Sequence, residues 1–402
     1  MMQSLLALRN LRRNRRRTMT LITTVGLGIF ALFMFDGFNF GIMNQYKDNT
    51  IHFKTGHGQL NTRGYREQAY EKPWEHWIDD PARIIAGLQT IKGVTHLFPR
   101  LDFYGILTNG TVSIAARGTG VEGKTEAAFF WTMSIVEGQT LSDQPDGIIM
   151  GIGLARALSA KVGSRLTLLA NTLGGSYNGI DVTVVGIFHS GMKDVDDSYF
   201  RIQRQAAGQL LDTTSVESIA VGLAADDGWE YFAREATRLF PELEATSFAV
   251  LDKVYYQHAV DWLGQQMLFI QAIVLLIITI GIANTVSFTI IERTLEIGNL
   301  RANGESTGEI LALLLWEGLA IGLIGASLGI GLAYFVNLVV IPNGVLMPPA
   351  PGLTRQFNVK VELRPFMILV TTAMGVLVTL VATLIAASGK IKRPIAELLR
   401  HR

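Results

Sequence analysis

Between Asp261 and Ala312 the chain reads DWLGQQMLFIQAIVLLIITIGIANTVSFTIIERTLEIGNLRANGESTGEILA, and Met267 to Ile291 within it is 25 residues without a formal charge. At the helical rise of 1.5 Å per residue, that run is long enough to cross a bilayer. It stops abruptly at Glu292-Arg293. LEIGNLRANG follows, a short amphipathic segment closed by glycine, and a second apolar run begins directly behind it. A spanning helix feeding a short helix at the membrane surface is a mechanical connector.

Composition extends this reading to the whole chain. Its 402 residues are 49% hydrophobic and 17% charged, more apolar than a soluble average. The excess is concentrated near 18–40, 267–291, 309–341 and 365–387, leaving a middle of ordinary soluble composition. One such run fits a buried helix of a soluble enzyme; four predict membrane insertion.

The net charge of +1 hides a local bias. Arg9, Arg12, Arg13, Arg15, Arg16 and Arg17 precede the first run, and Lys390, Lys392, Arg393, Arg400 and Arg402 follow the last. By the positive-inside rule both ends are cytoplasmic, and four spans satisfy that parity. The short loops support it less, with Arg293 and Arg301 in 292–308 against Arg355, Lys360 and Arg364 in 342–364. A basic amino terminus also suits nucleic acid, but its position against an apolar run favours a membrane surface. No small-x-small cleavage site follows Thr18 to Phe35, so this run reads as an uncleaved anchor, with Asp36 solvated at its outer edge. The chain has no cysteine, which excludes disulfides and thiol chemistry.

Residues 41–265 are expected to form an extracytoplasmic α+β domain with two lobes and mostly antiparallel strands. Strand-like pieces are 111–117, 129–136, 147–151, 165–170, 181–188 and 218–223; helical pieces are 79–91, 153–160 and 228–240. Asp79 or Asp80 before Pro81 is a helix start, because proline suits the first turn.

One motif in this domain imitates a nucleotide site. Gly118-Thr119-Gly120-Val121-Glu122-Gly123-Lys124-Thr125 matches G-x-x-x-x-G-K-[ST], whose amides cradle phosphates while the lysine neutralises them. EAAFFWTMS, directly behind it, makes a poor long helix, no later strand ends in a metal-binding aspartate, and the expected side of the membrane lacks ATP. The segment therefore reads as a glycine-rich turn with a solvent-facing lysine. His52, His57, His76, His96, His189 and His258 are scattered without metal-ligand spacing. Asp194, Asp196 and Asp197 lack a complete oxygen-ligand loop and read as a solvated turn. No nucleophile motif appears. Neither a catalytic nor a metal site is assigned.

In the third run, Gly318, Gly322, Gly325 and Gly329 form two small-x-x-x-small pairs that allow close helix approach. Glu317 lies about two turns inside that helix, so it should face protein or water and serve a structural or gating role, with a proton relay as the alternative. Asn284 in the preceding run reads as an interhelical hydrogen-bond partner. The proline-dense segment 342–364 predicts a stiff outer loop. Behind the last run, SGKIKRPIAELLRHR predicts a short basic amphipathic helix from near Pro394, with Ile395, Leu398 and Leu399 on its apolar side.

These segments together resemble the permease subunits of the MacB/FtsX-like ABC transporter superfamily, most closely the lipoprotein-releasing LolC/LolE type. LLALRNLRRNRRRT resembles the family's amphipathic amino-terminal helix, ERTLEIGNLRANGESTGEI its cytoplasmic coupling segment, WEGLAIGLIGASLGIGLA its third span and KRPIAELLR its tail. TGHGQL at 55–60, VEGQTL at 136–141 and IIMGIGLARALSAKVGSRLTL at 148–168 resemble its domain pattern. The resemblance covers essentially the whole chain.

It implies an α-helical membrane protein with four transmembrane helices and a large α+β extracytoplasmic domain inserted between the first and second, similar to type VII ABC transporters. The implied parts are 1–40 with the amphipathic helix and first span, 41–265 periplasmic, 266–291 second span, 292–308 coupling segment, 309–341 third span, 342–364 outer loop, 365–387 fourth span and 388–402 cytoplasmic tail. It also implies a cytoplasmic ATPase dimer as partner, a second permease subunit as homodimer or paralogue heterodimer, and a bacterial inner-membrane location. This non-catalytic chain would bind no cofactor, with ATP and Mg²⁺ held by the ATPase. Glu296, Gly298, Leu300, Arg301 and Gly304 are then the ATPase contact or its hinge, with Gly298 supplying backbone freedom and Leu300 an apolar anchor. Transport of lipoprotein or another amphiphile expects an apolar lateral opening near Phe33, Phe35, Phe38, Phe40 and Met43. The alternatives are a signalling or scaffold permease, which expects an exposed protein-docking patch, and MacB-like peptide or drug efflux.

Overall fold

A computed structural model describes residues 13, 15–68, 72–142, 144–253, 258–349, 354 and 356–388. The amphipathic helix expected before Arg13 and the basic tail expected after Ser388 lie outside the described residues. The chain divides into two compact units, one drawn from residues up to Asn44, Val260–Leu346 and Asn358 onward, the other from Gln45–Ala259 and Met347–Phe357. Residues 347–357 of the expected outer loop therefore group with the α+β domain.

The first helix, α1, runs Arg15–Thr50 and ends in a π-helical turn at Ile51–Thr55. Leu21, Val25, Ile29, Leu32, Phe33 and Asp36 make its buried stripe, the spacing of one helix face. It continues ten residues beyond the expected end at 40, with no proline between Asn39 and Thr50 to stop it and Gly41 buried within the helix.

The domain begins with β1 (Gly58–Thr62), α2 (Pro81–Leu88) and β2 (Val94–Thr108). Asp80 caps α2, accepting from the Arg83 N–H at 3.1 Å, and Pro81 occupies the first turn. The second lobe follows as β3 (Ser113–Val121), α3 (Gly123–Phe129), β4 (Ser134–Gly138), β5 (Gly147–Gly151), α4 (Ile152–Ala157), β6 (Arg165–Asn171), β7 (Tyr177–His189), α5 (Lys193–Ser198), β8 (Tyr199–Gln203) and α6 (Arg204–Leu211). The chain then returns with β9 (Ser218–Leu223), α7 (Trp229–Leu239) and β10 (Leu243–Ser247).

Strands β1, β2, β9 and β10 lie in the order β10-β1-β9-β2, all antiparallel, with α2 and α7 as the crossovers. That is a ferredoxin-like β-α-β-β-α-β lobe. The other lobe is inserted between its second and third strands. Strand β2 serves both, pairing with β9 through residues 94–100 and with β3 through residues 101–108. Beyond β3 the sheet continues β8-β5-β7-β4, with β3–β8 and β5–β7 parallel and the rest antiparallel. Each lobe has its own core. Leu60, Ile84, Leu88, Ile219 and Phe232 fill the first, and Leu101, Ile148, Leu166, Val184 and Phe200 the second.

Three local expectations are corrected. In FFWTMSIV only Ser134 onward is strand; Phe129 ends α3, and Phe129 and Phe130 pack on Phe98 with ring centroids 5.3 and 4.9 Å away. The aspartate-rich segment is helical rather than a solvated turn. Asp196 is buried and accepts from the N–H and hydroxyl of Ser190 at 2.7 and 2.8 Å. The nucleotide-loop look-alike contains no turn: Gly118–Val121 is ladder paired with β8, and α3 starts at Gly123. Amides tied into a parallel ladder cannot form a phosphate cradle. Lys124 is exposed, as its position suggested.

Behind the domain come α8 (His258–Glu292), α9 (Thr294–Ala302), α10 (Thr307–Phe335, then a π-helical turn at Val336–Val340) and α11 (Pro365–Ser388). With α1, the three long ones make four helices long and apolar enough to cross a membrane among the described residues. Helix α8 starts eight residues before the expected 266, with Asp261 in its first turn, where a negative charge suits the helix dipole. Helix α10 opens on a capping box: the Ser306 hydroxyl accepts from the Glu309 N–H at 3.2 Å, and Glu309 accepts from the Ser306 N–H at 2.7 Å. Ile278, Ile282, Val286 and Ile290, spaced by four, meet Leu21, Val25, Leu314 and Ala382 in the core of this unit.

Candidate functional site

The segment between the second and third long apolar helices forms the nine-residue helix α9. Arg293, at φ −97° and ψ 13°, breaks the helix between α8 and α9. Ile297 and Gly298 are buried, and Leu300 packs partly against the apolar core of the helices. Leu295, Glu296, Asn299 and Ala302 are exposed, with Leu295, Asn299 and Ala302 on one face. Leu295 rather than Leu300 is thus the apolar side chain offered outward. Gly298 is inside the helix, whereas Gly304 adopts φ +97°, so backbone freedom is required at Gly304. Arg301 is half-buried beside it.

A chain of charges holds α9. The Arg293 Nε donates to Glu296 at 2.9 Å, and its Nη1 donates to both oxygens of Glu317 at 3.2 and 3.3 Å. Arg13 also reaches Glu296, and Arg17 lies 3.4 Å from Glu292. The hydrogen bond from Arg293 holds the Glu296 carboxyl below its ordinary range, with Arg13 adding to the effect. Glu317 is only 6% exposed, and Arg293 brings it a counter-charge. Beside it is a cavity of about 30 Å³, room for one water, whose mostly apolar wall includes Leu21, Ile282 and Leu314 with Arg17, Thr289 and Thr379 as polar members. The expected inward facing of Glu317 is observed; its counter-charge was missed because it stands 24 residues earlier, outside the span.

The two glycine pairs on α10 face different helices. A Cβ on Gly318 would meet the Thr383 hydroxyl at 2.9 Å and one on Gly322 the Thr379 hydroxyl at 2.6 Å, both on α11. A Cβ on Gly325 would strike Val25 at 2.8 Å, and one on Gly329 the carbonyl of Gly26, both on α1. Asn284 departs from expectation: it is exposed on α8 and has no side-chain hydrogen bond to another described helix.

At the other end of this unit, Asp36 is buried rather than solvated. Arg364 donates to its two oxygens at 3.2 and 3.1 Å while lying 4.1 Å over the Phe40 ring. Asn44 donates to Glu362 at 3.2 and 3.1 Å, and the Glu362 N–H donates to the Gly37 carbonyl at 3.0 Å. Phe33 is buried against Ala333 and Met367. Phe35, Phe38, Phe40 and Met43 are half-buried.

The α+β domain carries a second set of buried charges. Glu126 accepts from Arg100 Nε and Nη2 at 2.8 Å each and from Arg201 Nη1 at 3.1 Å, all three residues being 3% exposed or less. The ring of Phe130 lies 4.2 Å from the Arg100 guanidinium. Histidines 52, 57 and 96 gather around Phe129, with ring centroids 4.6, 6.0 and 5.8 Å from it. No group of three or more metal-ligating side chains occurs among the described residues. On the outward face of the second lobe, Tyr104, Ile106, Leu169 and Tyr177 are exposed, the two tyrosines at 78% and 83%. Ile106 is paired with Leu169 in the β2–β6 ladder, so these side chains form one patch.

Four apolar spans, a braced surface helix between two of them and a two-lobed α+β domain define a membrane permease. Residues 18–239 match the MacB-like periplasmic core domain and residues 268–395 the FtsX-like permease C-terminal region, and the chain belongs to this MacB/FtsX family of ABC transporter permeases. It is 24% identical over 348 residues to the lipoprotein-releasing system transmembrane protein LolC of Neisseria meningitidis serogroup B, covering 82% of this chain and 80% of that one. It is 22% identical over 287 residues to LolE of the corresponding system of Haemophilus influenzae, covering 69% and 68%. The solved periplasmic region of MacB from Actinobacillus actinomycetemcomitans aligns with 48% of this chain and 90% of that one, at 12% identity and a TM-score of 0.37.

Proposed function

We propose that this chain is the permease subunit of a type VII-like ABC transporter, that ATP and Mg²⁺ are bound by a separate cytoplasmic ATPase dimer, and that α9 receives the ATPase. The seating of α9 carries this reading. A short helix between two spans, joined by Arg293 to both its own Glu296 and the buried Glu317 of α10, passes a push into the spans instead of absorbing it in a loop. Leu295, Asn299 and Ala302 supply the contact face, and Gly304 is the hinge behind it. Two permease subunits, identical or paralogous, form the membrane core of the bacterial inner membrane. Both termini are cytoplasmic, and the domain at Gln45–Ala259 is periplasmic.

The LolC and LolE relatives favour lipoprotein or another amphiphile as cargo. A second reading, control of a periplasmic protein partner, is favoured by the exposed Tyr104, Ile106, Leu169 and Tyr177 patch.

Co-purification with the neighbouring cytoplasmic proteins tests the mechanism. Leu295→Asp is expected to reduce ATPase recovery about tenfold, as for loss of an apolar anchor, while the variant stays in the membrane. Full recovery with Leu295→Asp removes α9 as the contact, and no ATPase recovered under ATP-trapping conditions removes the mechanism. Identification of bound lipid or protein in the complex separates the two cargo readings.

A further inference from the structure

The amino half of β2 is an open sheet edge. The Val221 carbonyl accepts from the His57 N–H at 2.9 Å and so points toward β1, which turns the main-chain groups of Ala220 and Gly222 toward β2. Their register partners are Phe98 and His96, so Leu97 and Pro99 direct their main-chain groups to the opposite side. On that side β3 begins to pair only at Leu101. Leu97 thus offers an N–H and a C=O, and Pro99 a C=O, where no strand pairs among the described residues. Proline belongs on such an edge, having no N–H to lose.

A groove of about 530 Å³ follows this edge. Val94, Thr95, His96 and Leu97 all line it. Consecutive strand residues point to opposite faces, so they share a groove only where it runs along the edge. Its opposite wall is one face of α2, with Ala82, Ile85 and Ala86, and its end is closed by Glu122, Thr125 and Arg204. The Arg204 Nη2 is 3.5 Å from Glu122, while its buried Nε and the Nδ1 of His96 have no hydrogen-bond partner among the described residues. The groove therefore combines a main-chain edge, an apolar wall and an end where Arg204, already paired with Glu122, still has an Nε–H in need of an acceptor.

We propose that this groove takes an extended segment of a partner protein as an added strand. The segment pairs with Leu97 and Pro99, places small or β-branched side chains against Ala82, Ile85 and Ala86, and directs a carboxylate to Arg204. It occupies the place β3 would fill if it ran on beyond Val121. The inference is independent of the transport cargo and of the ATPase contact.

The test is selection of a phage-displayed random octapeptide library on the full-length chain in nanodiscs, with Ala86→Arg as the counter-selection. Ala86 is exposed, so the substitution fills the groove without disturbing the core. Enriched sequences are expected to alternate apolar and polar residues and to carry an acidic residue at one end. A synthetic peptide of the enriched sequence should bind Ala86→Arg about tenfold more weakly, bind Arg204→Met more weakly, and lose binding when the amides facing Leu97 are N-methylated. No enrichment over Ala86→Arg, equal binding to that variant, or binding that survives N-methylation overturns the proposal.

Discussion

Arg293 and Glu317 stand 24 residues apart and meet with Nη1 3.2 Å from Oε1 and 3.3 Å from Oε2. One sits in the break before the surface helix, the other inside the following span. The contact makes α8, α9 and α10 a closed structural circuit. Removing one partner of a buried ion pair is destabilising by up to about 3–5 kcal/mol, more than the pair itself contributes, and Arg293 keeps its bond to Glu296 when Glu317 is replaced. Glu317→Leu and Arg293→Met should each lower the thermal midpoint of the solubilised chain, while the double variant regains most of the loss. Strictly additive losses would show that the two residues are not coupled.

The glycine seam on α10 should respond position by position. Gly318→Ala meets a rotatable threonine hydroxyl on α11, whereas Gly329→Ala meets the main-chain carbonyl of Gly26 on α1. Gly329→Ala is therefore expected to destabilise by about 1–3 kcal/mol and Gly318→Ala by less. Thermal unfolding in detergent gives the ranking; a larger effect at Gly318 would contradict the packing described.

Glu126 is paired with two buried arginines, Arg100 and Arg201. Glu126→Gln keeps the shape but removes the charge, and should destabilise the α+β domain by about 3–5 kcal/mol. Arg201→Met in the same chain should restore part of it. Domain unfolding followed by tryptophan fluorescence reads both; an unchanged midpoint for Glu126→Gln would contradict the ion cluster.

Glu217 makes the domain sensitive to pH. Burial, and then the nearby charge of Asp102, push its carboxyl up to about 7, while Tyr65 donates to it at 2.8 Å. In the unfolded chain it titrates near the ordinary value of about 4.3, so the native state holds more protons between these values. The associated stability is fully present below about pH 4.3 and is lost as pH rises through about 7. Glu217→Gln, permanently neutral, should flatten that dependence and gain relative to the parent between pH 5 and pH 8. Parallel midpoint curves would contradict it.

Lys124→Ala and Thr125→Ala should leave nucleotide binding and transporter ATPase activity unchanged, because the Gly118–Val121 amides belong to a sheet ladder. MgATP bound by the isolated permease and abolished by Lys124→Ala would restore a phosphate site.

Much of the architecture was legible in residues that act locally. Apolar runs marked the four long helices, Asp80-Pro81 marked α2, and β5 and β9 agree with the short β-branched stretches that stand between turn residues. Strand β2 escaped notice because VTHLFPRLDFYGILT carries Pro99, Arg100 and Asp102 inside it. Those residues look unlike a strand until Glu126 neutralises the arginine and the proline falls on an open edge. Leu295 was passed over for Leu300 because a nine-residue helix has too few apolar positions for its pattern to show which face is covered.

The sequence alone determined the membrane class, the order of spans and domain, the position of the connector and its family, since length, charge and turn chemistry are properties of neighbouring residues. Only the tertiary structure decided which charges are paired, which helix each glycine approaches, which side of the connector is outward and where a strand is left open. Arg293 with Glu317, Asp36 with Arg364, and Glu126 with Arg100 and Arg201 are contacts between distant parts of the chain. Buried charge is tolerated only where the fold brings its counter-charge within a few ångströms.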